Sequence, residues 1–94
     1  MPNEDLDPKE RKRLLEEEDR KLRRLRIETD FLLAVIYQDG QLDVHSARRL
    51  VEGFRQRVIA DFPGKDFTFD LILLPRFDRA LRERWGEGFD RVVH

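Results

Sequence analysis

The sequence predicts an all-α protein: a small helical domain built on an antiparallel helical hairpin (about 8–38 and 44–60), followed by a kinked C-terminal helical segment (about 68–86), with a long charged N-terminal helix. Three observations predict it. No Gly or Pro interrupts residues 9–39, so one helix can run there unbroken. Val44, Ala47, Leu50, Val51, Phe54 and Val58 recur at the spacing that puts them on one side of a 3.6-residue helix. Asp39-Gly40 stands between the two stretches, with Gly40 expected to supply the positive φ that ends the first.

The first helix is expected to start at Asp7-Pro8, with Asp as cap and Pro at the position where its missing N–H costs nothing. Its halves differ. From Lys9 to Arg26 there are nine basic and five acidic residues and four apolar ones, Leu14, Leu15, Leu22 and Leu25. From Ile27 to Tyr37 apolar residues dominate. Glu16 with Arg20, Glu17 with Lys21 and Asp19 with Arg23 are acidic-before-basic pairs at i,i+4, each worth about 0.2–0.5 kcal/mol, which biases a helix without holding one.

A seam runs along this helix. Leu15, Leu22, Thr29 and Ile36 are seven apart, and Leu25 and Leu32 follow three residues after Leu22 and Thr29. Glu18 interrupts the seam, leaving fewer heptads than a coiled coil needs. The arm leucines therefore have two readings: packing on the domain's own third segment, or meeting another copy or another protein.

The second helix is expected from Val44 to Ala60, with Asp43 as N-cap and Phe62-Pro63-Gly64 as the stop. Gly53 inside it costs about 1 kcal/mol against Ala, and either admits a close backbone or is simply tolerated. Arg48, Arg49, Arg55 and Arg57 are assigned to its outer face. The segment 65–74 is ambiguous. Phe67, Phe69, Leu71 and Leu73 alternate as in a strand, yet Leu71–Leu74 is continuous and nothing convincing pairs with it. The preferred reading is an extended Phe67 entering a helix capped by Thr68 and bent or restarted at Pro75. Leu74, Phe77, Leu81 and Trp85 then share a face, with Gly86 as C-cap. Residues 1–6 are expected to be a disordered N-terminus, and Phe89–Val93 a short apolar tail.

Composition narrows the function. The chain has 94 residues, 39% apolar and 41% charged, and a formal net charge of −1, so no global field draws in nucleic acid or anionic membrane. It has no Cys, which removes disulfides, thiolate metal sites and cysteine nucleophiles. The longest apolar run is far below the roughly 20 residues needed to span a bilayer, and Met1-Pro2-Asn3-Glu4-Asp5 is acidic where a signal peptide would be basic. Cytoplasm is the expected location.

Helix, Asp-Gly and helix suggests calcium, but Val35 and Tyr37 fall on ligand positions and Ser46 stands where the loop needs Glu. The stretch from Leu33-Ala34 through Asp39-Gly40-Gln41-Leu42-Asp43 resembles the helical domains of the tellurite-resistance type, an apolar helix followed by Asp-Gly-x-apolar-Asp. The acidic residue that pattern expects three after Asp43 is Ser46, and no function is carried over from it. His45 near Asp39 and Asp43 is a thin metal site, better read as a half-exposed residue beside the turn. Ser46, Thr29 and Thr68 sit in no nucleophile elbow, and no phosphate-cradling Gly loop is present. No catalytic residue, cofactor, metal or small-molecule substrate is expected.

Two functions remain. The first is a non-enzymatic protein–protein interaction module, a homodimer or a small subunit or adaptor of a larger assembly. It would use Leu15, Leu22, Leu25 and Trp85 as apolar anchors, beside an aromatic C-terminal patch of Phe62, Phe67, Phe69, Phe77, Trp85 and Phe89. The second is a nucleic-acid-binding helical protein using Arg20, Lys21, Arg23, Arg24 and Arg26, five cations in seven residues, although Glu16, Glu17, Glu18 and Asp19 beside them repel phosphate.

Overall fold

The computed structural model describes residues 7–86; the expectations for residues 1–6 and for the apolar tail lie outside that range. Within it, four helices follow one another: α1 (Pro8–Gln38), α2 (Val44–Asp61), α3 (Asp66–Ile72) and α4 (Leu74–Trp85). The all-α architecture expected from periodicity is the one observed. No helix among the described residues is long and apolar enough to cross a membrane.

Helix α1 begins as its first residues dictate. The Asp7 carboxylate accepts from the Glu10 N–H at 2.8 Å, with Pro8 at the first helical position. Its end departs from expectation: Gly40 does not adopt positive φ, because Asp39 makes the turn. The Asp39 carboxylate accepts from the Gln41 N–H at 2.9 Å and its carbonyl accepts from Leu42 N–H at 3.2 Å, a local Asx turn that needs no left-handed residue. Asp43 then caps α2, accepting from the Ser46 N–H at 2.7 Å. That bond to the ionised carboxylate holds the Asp43 carboxyl below its ordinary range.

Positive φ appears instead at Gly64 (82°), in the turn after α2, and at Gly86 (72°) after α4. The turn at Gly64 folds tightly enough for α3 to begin at Asp66, with Lys65 rather than Thr68 at the cap position and Thr68 inside the helix. Helical geometry also sorts the alternating residues: Phe69 is buried and Leu73 packs on the core, while Phe67 (73% exposed) and Leu71 face outward. Pro75 has no N–H to return to Leu71, so the ladder breaks there and α4 restarts one residue before it.

The core draws on all four helices: Leu32 and Ile36 from α1; Ala47, Val51, Phe54 and Val58 from α2; Phe69 from α3; Phe77, Ala80 and Leu81 from α4. Three phenyl rings lock α2, α3 and α4 together. Phe54 meets Phe69 and Phe77 edge-on, with centroids 6.1 and 5.7 Å apart, and Phe69 stacks on Phe77 at 6.5 Å. Leu50, expected inside, is exposed, and Phe31 (69% exposed) and Tyr37 turn outward from the apolar run of α1. That run covers more of the helix circumference than the three partner helices can.

Arg55 does not belong to the outer face of α2. Its guanidinium grips Asp70 of α3 with two bonds, Nε to Oδ1 at 2.7 Å and Nη2 to Oδ2 at 3.0 Å, a planar fork on a carboxylate. The pairing lowers the Asp70 carboxyl below its usual range and raises Arg55 further. The molecule is elongated, 55 × 25 × 16 Å with a radius of gyration of 17.0 Å, where a compact 100-residue domain has about 13 Å. The length comes from α1, about 46 Å at 1.5 Å per residue.

Candidate protein interface

The rows that bury Thr29, Leu32 and Ile36 in the bundle continue down α1 at heptad spacing through Leu25, Leu22, Glu18, Leu15 and Arg11. Burial stops part-way. Leu25 packs against the core, whereas Leu22 and Leu15 are 51% and 59% exposed and every residue from Pro8 to Arg24 is exposed. Thr29, the polar member of the row, is reconciled with burial by donating its hydroxyl to the Leu25 carbonyl at 2.7 Å.

Where the arm leaves the bundle, an apolar groove of about 330 Å³ opens between α1, the end of α2 and α3. Leu22 and Leu25 form one wall, Ile72 and Leu73 the other, with Phe62, Val58 and Phe69 beneath and Glu18 and Lys65 at the rim. The first reading of the arm leucines holds for Leu25 alone. Leu25 meets its own domain, Leu22 lies at the mouth, and Leu15 extends along the bare helix. The sequence did not reveal the α3 wall, because which residues of that short helix face α1 is set by how the helix packs.

Trp85 does not join these leucines. It packs half-buried on the core with the Arg84 guanidinium 4.5 Å above its ring, at the far end of α1. There Arg84 donates from Nη1 to the Ile36 carbonyl at 2.6 Å and from Nη2 to the Asp39 carbonyl. Ile36 is fourteen residues from Leu22, about 21 Å along the helix. The expected aromatic patch is divided: Phe69 and Phe77 are buried, Phe62 is partly so, Phe67 is exposed, and Phe89 is outside the described residues.

Beside Arg84, Tyr37 donates its hydroxyl to a Glu83 carboxylate oxygen at 2.5 Å, and this bond to an anion raises the tyrosine above its ordinary value. Compared with known protein families, curated proteins and solved structures, the chain matches none. The reading of the arm therefore rests on its own geometry. Among the described residues no group of three or more His, Asp or Glu is placed to hold a metal ion.

The five cations of the second reading are all exposed, but they do not form one face. Arg20 and Arg24 share a row at i,i+4, Arg23 and Arg26 lie on another at i,i+3, and Lys21 and Arg24 border a cleft toward α2. Arg23 is drawn to Asp19 at 3.3 Å, one of the i,i+4 pairs expected from the sequence. Arg57 of α2 is drawn to Glu28 at 3.3 Å.

Proposed function

We propose that this protein is a non-enzymatic interaction module that binds another helix through the leucine row of its N-terminal arm and the groove at its base. One observation carries the reading: the row that builds the core continues uncovered for some two turns past the bundle, with Leu15 and Leu22 exposed. Most helical stability in proteins comes from packing an apolar face, and a face patterned like the core but left open is the surface that a helix-in-groove partner fits. Nucleic-acid binding is the rival proposal; cations spread around the helix and interleaved with carboxylates support it less well.

The test compares the solution size of the wild-type chain and Leu22→Asp, alone and in cell extract. A larger species that the substitution removes, with the cooperative urea unfolding of the bundle retained, is the expected result. A chain that runs as a monomer in both settings removes the proposal.

A further inference from the structure

Resting on that reading, we infer that the occupant of the arm is the arm of a second copy of this chain, laid antiparallel. Charge decides the direction. In a parallel pair equal positions meet, so Glu18 would face Glu18 and Arg11 would face Arg11 in the seam, with Lys21 beside the partner's Arg26. All of these are like charges brought together. An antiparallel pair staggered so that Leu15 lies level with the partner's Glu18 sets Leu22 level with the partner's Arg11 and Leu25 with the partner's Pro8. Each Glu18 then has the partner's Arg11 about one turn away, and Lys12 lies beside the partner's Asp19 on the flank, twice by symmetry.

Length points the same way. In this stagger the overlap runs from Pro8 to Leu25, about 27 Å. It ends where Leu25 enters the core and the groove walls rise. The free arm is thus as long as the overlap requires, and the partner's first turn reaches the groove mouth at Leu22.

The experiment uses the full chain, whose lack of Cys allows single nitroxide labels at Gln38→Cys and, separately, Arg13→Cys. Light scattering at high protein concentration is expected to give twice the chain mass. Spin-spin distances should be about 65 Å for Gln38 and about 20 Å for Arg13, whereas a parallel pair brings both to about 20 Å. Lys12→Asp and Asp19→Lys should each weaken the dimer about three- to tenfold, and the double variant should regain most of the loss. Leu15→Asp, on a side chain that supports no core, guards against a folding artefact.

A parallel dimer, or a double variant no better than the singles, overturns the antiparallel pairing while leaving the arm as a docking face. A pure chain monomeric at high concentration that forms a larger species in extract likewise overturns self-pairing alone. A monomer in both settings overturns the arm reading as well.

Discussion

Gly53 sits in the interior of α2, exposed, and a Cβ placed there meets nothing within 4 Å. Of the two roles its position allowed, close backbone approach is therefore excluded. Its φ is not in the left-handed region, so alanine fits without strain and removes unfolded-state entropy. Gly53→Ala should stabilise by about 0.5–1 kcal/mol, raising the thermal midpoint by about 2–8 °C in a domain this small. Differential scanning calorimetry decides it, and a lower midpoint would contradict the open environment. Asp43 and Asp70 make a second case at this scale. Both carboxyls are held below their ordinary range in the folded chain, Asp43 chiefly by the Ser46 N–H and Asp70 chiefly by Arg55. A depressed folded pKa gives stability that is present above the unfolded value, about 3.9, and lost as pH falls through the folded one. Urea midpoints should therefore hold from neutral pH to about pH 5 and drop below pH 4. Asp70→Asn should start lower and lose less over the same window.

At the scale of the element, α1 ends in an unsolved electrostatic problem that α4 solves. Its last turn contains no basic residue, although the carbonyls there carry the negative end of the helix dipole. Arg84 brings its charge to those carbonyls from forty-odd residues away. Arg84→Met keeps the stem and removes the charge, so it should cost about 1–2 kcal/mol. Hydrogen exchange should quicken first at the C-terminal amides of α1, and a loss confined to α3 would refute the capping role. This contact also marks what the sequence could disclose. Local chemistry was legible: Asp7-Pro8 and Asp43 are caps where their side chains reach N–H groups two or three residues on, and both helices of the hairpin fall within a residue of expectation. Choices between neighbouring turn and cap residues, and those made by tertiary contact, were not legible. Asp39 took the work assigned to Gly40, Lys65 took the position given to Thr68, and Arg55 turned inward because Asp70, fifteen residues later, came within reach. Trp85 showed the same limit from the other side, since no spacing rule tells whether an aromatic residue lies beside the arm leucines or, as here, at the far end of the bundle.

For the whole molecule, the question is how a chain with one small core keeps so long a helix. The bundle holds α1 from Leu25 onward, through the buried row and through Glu28 with Arg57 and Asp30 with Arg76 at 3.7 Å. Beyond Leu22 toward the N-terminus the Asp7 cap and the Asp19–Arg23 pair support the helix, but no residue there is buried, and most helical stability in proteins comes from packing an apolar face. In a dilute monomer the arm amides should exchange close to the unpaired rate, while those of Thr29–Ile36 are protected by up to the global stability of the domain. Dilution supplies the contrast. If another copy covers the leucine row, protection of residues 11–24 should rise with protein concentration while that of the bundle rises only with its share of the coupling. Leu22→Asp should abolish the concentration dependence and leave Thr29–Ile36 unchanged. Arm protection equal at every concentration and indifferent to Leu22 would mean that the helix holds itself, and the exposed leucines would then need no partner.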